Sequence, residues 1–217
     1  MFHVEHAGDL ADYLFQASQV VSIHITSHQS DQFVQYARAL QEWNKTINLT
    51  SVDDRREVVV KHFIDSIAPL QFGLLTGQES LLDIGTGAGF PSVPLKIMRP
   101  GLRPVLLEPN SKKASFLLYL VGTLELKNVQ VISQTLEQFA GTSGDRFDHV
   151  LVRALSQGTW SSRIAGFLSS DGSVLAYRSA VMKSQDVPPG LRSLSEWSYE
   201  LPFGYGRRVL TVLGRSS

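Results

Sequence analysis

The stretch Leu81-Leu82-Asp83-Ile84-Gly85-Thr86-Gly87-Ala88-Gly89-Phe90-Pro91 decides the fold. An apolar run ends in an acid, a glycine-rich turn follows, and a helix can begin at the prolines. Twenty-five residues after Asp83, a second apolar run, Val105-Leu106-Leu107, ends in Glu108. This is the layout of a doubly wound nucleotide-binding sheet, whose ligand lies at the carboxyl ends of the strands. The glycine spacing separates the possible ligands. A dinucleotide site is written G-x-G-x-x-G. Counted from Gly85, that pattern needs glycine or alanine where the chain has Phe90.

Working outward, strands are expected at 81–84, 104–108, 129–132, 147–152, 172–177 and 207–213, with helices at 91–98, 111–122, 135–139 and 159–168. Such alternation implies right-handed crossovers and a parallel sheet. Residues 196–202 and 207–213 flank Phe203-Gly204-Tyr205-Gly206 and read as an antiparallel hairpin. The first ~70 residues read as helical. One helix spans 31–45, with Ser30 or Asp31 as cap and Phe33, Val34, Ala37, Leu40 and Ile47 near helical spacing. A second runs from Asp53 or Asp54 to about Ala68, with Val59, Phe63 and Ile67 on one face and Pro69 limiting it. The expected division is a helical N-terminal extension over 1–73, packed on an α/β domain over 74–217.

Composition narrows the function. The 217 residues suit one sizeable domain with a small addition. No apolar run approaches the roughly 18 residues of a membrane span. Met1 to His6 lacks the basic and apolar regions of a signal peptide. With no cysteine, disulfides, thiolate metal sites and a cysteine nucleophile are excluded, and a cytoplasmic location is expected. No metal site is expected. Net charge is zero, but residues 1–80 hold five Lys/Arg against ten Asp/Glu, or −5, leaving +5 on residues 81–217. A neutral total argues against nucleic-acid binding through bulk charge and leaves room for a local basic face.

The D-x-G-x-G-x-G string resembles the first motif of S-adenosylmethionine-dependent methyltransferases, and a parallel sheet closed by an antiparallel hairpin resembles their class I, Rossmann-like fold. On that reading Gly85, Gly87 and Gly89 let the ligand approach the backbone, and a carboxylate sits near the loop amides. Asp83 either meets the cofactor's amino group, directly or through water, or orients the loop. Glu108 accepts two ribose hydroxyls, or is a solvated acid at a strand end. Leu136 packs on adenine beside Glu137, unless that segment serves only as a helix cap. Arg153, at the end of the fourth strand, clamps a carboxylate or phosphate, or pairs with a neighbouring acid. His62 and Asp65, three apart on a helix, read as a structural pair before a catalytic base.

The acceptor is approached by elimination. Amino-directed nucleic-acid methyltransferases often carry Asn/Asp-Pro-Pro-aromatic at the fourth strand end; here stands Val152-Arg153-Ala154-Leu155. Cytosine C5 chemistry needs a cysteine. A ring nitrogen, such as guanine N7, presents an in-plane lone pair, so positioning would supply most of the catalysis without a general base.

Trp43-Asn44-Lys45-Thr46-Ile47-Asn48-Leu49-Thr50, Lys61-His62-Phe63-Ile64-Asp65-Ser66 and Asp83 to Pro91, together with the Met1–His6 start, resemble the bacterial RsmG (GidB) family over essentially the whole chain. That resemblance implies methyl transfer from S-adenosylmethionine to a guanine N7 of 16S ribosomal RNA in the small subunit, with cofactor contacts at Gly85, Phe90, Leu136, Glu137 and Arg153. The residues alone would have placed Phe90 in the core. RNA contacts are expected among Lys61, Lys112, Lys113, Arg178, Arg207 and Arg208; neither DNA nor membrane partners are expected, and the chain is expected to be a monomer. Two departures from the family pattern stand out. Arg178-Ser179 replaces the usual Lys-Gly after the fifth strand, and Gly206-Arg207 stands where Glu-Arg is usual. They bear on target choice more than on cofactor binding. Alternatives are a small-molecule methyltransferase with the helical N-terminus as a lid, or a protein that holds S-adenosylmethionine or RNA without turnover.

Overall fold

A computed structural model describes residues 7–153 and 163–216. Its centre is a seven-stranded sheet in the order β3-β2-β1-β4-β5-β7-β6. The strands are β1 (Ser80–Ile84), β2 (Arg103–Leu107), β3 (Gln130–Ile132), β4 (Phe147–Arg153), β5 (Leu168–Arg178), β6 (Leu191–Glu200) and β7 (Arg207–Arg215). β1 to β5 run parallel, and β7 inserts antiparallel between β5 and β6. This is the class I methyltransferase sheet expected from the sequence.

The helices are α1 (Ala7–Val20), α2 (Ser27–Asn44), α3 (Arg55–Val58), α4 (Asp65–Ile67), α5 (Ser92–Met98), α6 (Ser111–Thr123) and α7 (Leu136–Thr142). One apolar cluster joins α1, α2 and α3 to α5 and α6, with Phe33, Phe63 and Phe116 buried together. On the same sheet face, Val60, Leu81, Leu151, Leu175 and Tyr177 form a second cluster. The opposite face is packed by α7 and the 3-10 turn Ile164–Phe167. No helix among the described residues is long and apolar enough to cross a membrane.

Three expectations are corrected. The 31–45 helix begins at Ser27, because Thr26 forms a full capping box with Gln29, a stronger start than Ser30 or Asp31. Between α3 and α4 the chain makes a π-helical turn, Val59–Ile64, instead of continuing as α-helix. The part of the 159–168 helix that lies within the described residues is a 3-10 turn running straight into β5; the rest of that segment, with Ala154, Leu155 and the Met1–His6 start, falls outside them. The predicted apolar face holds: Val59, Phe63 and Ile67 are fully buried.

Candidate active site

The carboxyl ends of β1, β2 and β4 converge on the glycine loop. Gly85, Gly87 and Gly89 have φ of 67°, 60° and 98°, left-handed backbone that explains glycine at alternate positions. Glu108 fixes this loop. One carboxylate oxygen accepts from the Gly87 amide and the other from the Asn110 amide, each at 2.9 Å. Glu108 is therefore buried, not a solvated strand-end acid. Asp83 secures the other side. Its Oδ2 accepts from Thr86 Oγ1 at 2.8 Å and the Ser92 amide at 3.1 Å. Its Oδ1 is buried without a hydrogen-bond partner. Burial pushes the Asp83 carboxyl up to about 7.

The loop amides are largely committed. Those of Gly85, Gly87, Gly89, Phe90, Ser92 and Val93 all donate to protein acceptors. At Gly85, Gly87 and Gly89 the loop presents backbone with no side chain. A Cβ on Gly87 would have no atom closer than 4.0 Å, so that face is open.

Phe90 links loop to extension. Its ring stacks on Tyr36 at 5.3 Å and on His62 at 4.6 Å, with the Arg153 guanidinium 5.7 Å above it. The Tyr36 hydroxyl donates to the Ala88 carbonyl inside the loop. Arg153 leaves the end of β4 and meets the π-helical turn. It ion-pairs with Asp65 Oδ2 at 3.1 Å and donates to Ser66 Oγ at 3.0 Å, to His62 Nδ1 at 3.2 Å and to the Lys61 carbonyl. Asp65 also accepts from the Tyr199 hydroxyl at 2.7 Å, and Tyr177 donates to the Ser66 carbonyl at 2.8 Å. His62 and Asp65 are thus joined through Arg153.

His62 is held neutral: burial first, then the Arg153 charge, lowers it to about 3. Because Arg153 only donates, His62 Nδ1 accepts, and the proton is on Nε2, 2.8 Å from Thr50 Oγ1. Thr50 is placed by Asn44, whose Oδ1 accepts from the Leu49 and Thr50 amides at 2.8 and 3.1 Å. The Asn44 and Thr50 of the W-N-x-x-I-N-L-T string therefore brace His62, and through it Arg153.

Against this geometry the comparisons with known proteins are decisive. A family model described as rRNA small subunit methyltransferase G matches residues 29–187. The chain belongs to the rRNA small subunit methyltransferase G family. Relatives carrying the name Ribosomal RNA small subunit methyltransferase G include one from Lactococcus lactis subsp. cremoris (strain SK11), 35% identical over 93% of this chain and 89% of its own. Another, from Streptococcus sanguinis (strain SK36), is 38% identical over 88% of this chain and 85% of its own. Among solved structures, MtNAS in complex with MTA and tNA superposes with a TM-score of 0.58 at 13% identity, covering 100% of this chain and 92% of that one. TrmN from Thermus thermophilus gives 0.56 at 14%, covering 73% and 53%. These likenesses concern the fold.

The remaining candidates of this methyltransferase G family chain are more dispersed. Leu136 is buried with Ile84 and Leu107 on the opposite sheet face. Glu137 is exposed in the first turn of α7, where Thr135 and Gln138, not Glu137, form the capping box. Of the cations, Lys61 and Arg208 lie beside Arg153. Lys61 pairs with Glu57 at 2.7 Å, and Arg208 Nε stands 4.0 Å from Asp65. Arg207 points to the other side of β7, bonded to Ser198 Oγ. Lys112 and Lys113 open α6 behind the Asn110 cap, and Arg178 ends β5. Sequence reading missed Tyr36 and Tyr199, which lie in no motif, and gave Thr50 no role beyond its place in the W-N-x-x-I-N-L-T string.

Proposed function

We propose that this protein transfers a methyl group from S-adenosylmethionine to the N7 of a guanine in 16S ribosomal RNA of the small ribosomal subunit. The observation that carries the reading is family membership across residues 29–187 combined with a glycine loop pinned by Asp83 and Glu108. The residues fit the cofactor. The open backbone at Gly87 lies on the same loop as a buried carboxylate, Asp83, whose second oxygen accepts nothing, and a donor from a bound molecule would relieve that oxygen. Asp83, Gly85, Gly87, Gly89, Phe90, Glu108, Leu136, Glu137 and Arg153 are the residues we assign to holding it. Glu108 retains acceptor capacity on both oxygens for ribose hydroxyls.

When bound, S-adenosylmethionine would supply an electrophilic sulfonium methyl to the N7 lone pair, its sulfur keeping the electron pair of the broken S–C bond and the methylated base taking up the positive charge. N7 carries no proton, so no side chain has to remove one. The work left to the chain is positioning. Arg153 is the positioning residue: its guanidinium, fixed by Asp65, Ser66 and His62, sits over Phe90 at the loop. Neutral His62 keeps a second cation away from a site that receives a sulfonium.

The reading is tested by calorimetric titration with S-adenosylmethionine, followed by transfer of labelled methyl to small subunits from cells lacking the modification. Cofactor binding with label in RNA is expected; binding without label in any RNA would sink the substrate assignment.

A further inference from the structure

We propose that the tip of the β6–β7 hairpin is a stacking platform for an unpaired RNA base flanking the target nucleotide; this deepens, and rests on, the ribosomal RNA reading above. The tip carries Phe203, whose large apolar side chain is 48% exposed. Its φ is 58°, inside an otherwise 3-10 turn. A bulky residue in left-handed backbone is strained, and glycine would serve the turn better. A strained aromatic held in solvent is explained by something it contacts.

Its surroundings state what that is. The Phe203 ring lies 4.9 Å from Tyr13, and Tyr205 completes the group. Cations cover the rings: Arg56 is 5.3 Å from the Tyr13 centroid and Lys61 is 5.4 Å from that of Tyr205. Interleaved aromatics and cations suit splayed single-stranded RNA, with bases on ring faces and phosphates on the guanidinium and ammonium groups. Two acids nearby have partners. Glu57 bonds Lys61 at 2.7 Å, and Asp54 caps α3 through the Glu57 amide. A phosphate would compete with Glu57 for Lys61.

The platform is continuous with the methyl-transfer site. Lys61 presents its side chain to Tyr205 and its carbonyl to Arg153. Arg208, on the strand leaving the tip, reaches towards Asp65, the ion-pair partner of Arg153. One strand of RNA can therefore touch both places.

The test is steady-state methylation of unmodified small subunits by wild type, Phe203→Gly, Phe203→Trp and, as a control on α1, Phe15→Ala. Phe203→Gly removes the ring and relieves the strain, so its melting temperature should equal or exceed wild type. Its KM for subunits should rise about ten-fold, in line with the loss of one base–aromatic stack, with kcat and S-adenosylmethionine affinity within about two-fold. Phe203→Trp and Phe15→Ala should keep the wild-type KM. An unchanged KM in Phe203→Gly would overturn the platform while leaving the function intact; a wild type that methylates no RNA would overturn the function itself. A photoreactive benzophenone side chain at position 203 identifies the occupant. Crosslinks to 16S RNA are expected, and crosslinks only to ribosomal protein would overturn the proposal in favour of a protein contact.

Discussion

Arg153 shows how one residue serves stability and chemistry together. Its side chain is the counter-charge for Asp65, which is 95% buried by side chain, since only 5% is exposed. Removing one member of a buried pair leaves the other uncompensated and costs about 3–5 kcal/mol. Arg153→Ala should therefore lower the unfolding free energy as well as abolish methyl transfer. Arg153→Lys keeps the charge but loses the fork that spans Asp65, Ser66 and His62. It should stay folded at moderate temperature, with kcat down about 100-fold from misplacement. Parallel chemical denaturation and single-turnover assays separate the two effects, and wild-type kcat in a folded Arg153→Lys protein would remove the guanidinium geometry from the mechanism. The strand-end position made Arg153 legible in the sequence. Helical spacing marked His62 and Asp65 as a pair, but not as the partners of Arg153, because they come from a helix about ninety residues earlier.

Two buried titratable residues give stability opposing slopes in pH. Asp83 is raised from 3.8 to about 7, so between those values the folded state binds more protons than the unfolded chain. Stability then falls as pH rises through that window. His62 is lowered from 6.5 to about 3, so the unfolded chain binds more protons and stability falls as pH drops from 6.5. Asp83→Asn should flatten the decline towards neutral pH, and His62→Gln should flatten the acid limb below it. Urea denaturation across about pH 4 to pH 8 reads both; an unchanged profile in Asp83→Asn would mean that the carboxyl is not protonated near neutrality.

At the scale of elements, the glycine loop divides into positions that differ in cost. A Cβ on Gly89 would lie 2.8 Å from both the Tyr36 hydroxyl and Val93 Cγ2, and φ is 98°. Gly89→Ala should break the Tyr36–Ala88 link and destabilise the fold. Gly87→Ala meets open space and carries only the left-handed backbone penalty, about 1 kcal/mol. It should melt close to wild type yet bind S-adenosylmethionine at least about ten-fold more weakly, because its methyl group occupies the side the ligand approaches. Calorimetry with thermal melts tests the pair, and full cofactor affinity in Gly87→Ala would move the ligand off this face. Element legibility follows the strength of apolar patterning. β1, β2, β4 and α6 were read to within one residue at each end. β6 begins five residues before the expected hairpin strand, because residues 192–198 are mostly exposed and polar and give no alternation. β5 begins four residues early because its pairing with β4 shifts between Leu168 and Ser173. The π-helical turn has no sequence signature, since its residues Val59–Ile64 keep ordinary helical spacing.

At the scale of the whole molecule, the extension and the sheet share one core. Phe33, Tyr36 and Phe63 from the first 73 residues pack with Phe90, Val93 and Phe116 from the rest. The fragment 74–217 should therefore fail to unfold cooperatively, which circular dichroism and a denaturant titration would show; a cooperative transition in that fragment would make the extension an independent unit. The same shared core brings His62 and Asp65 to Arg153, so the extension builds part of the site. The opposite charges of the two regions fit that contact: residues 1–73 hold five Lys/Arg against nine Asp/Glu, or −4, leaving +4 on residues 74–217.

The identity of the modified base decides the proposed activity. Small subunits lacking the modification should be incubated with enzyme and labelled S-adenosylmethionine, the RNA digested to nucleosides, and the label assigned by chromatography and mass spectrometry. We predict label in 7-methylguanosine alone, at one molecule per subunit. Label in an N2-methylated, ribose-methylated or cytosine product would contradict the N7 assignment.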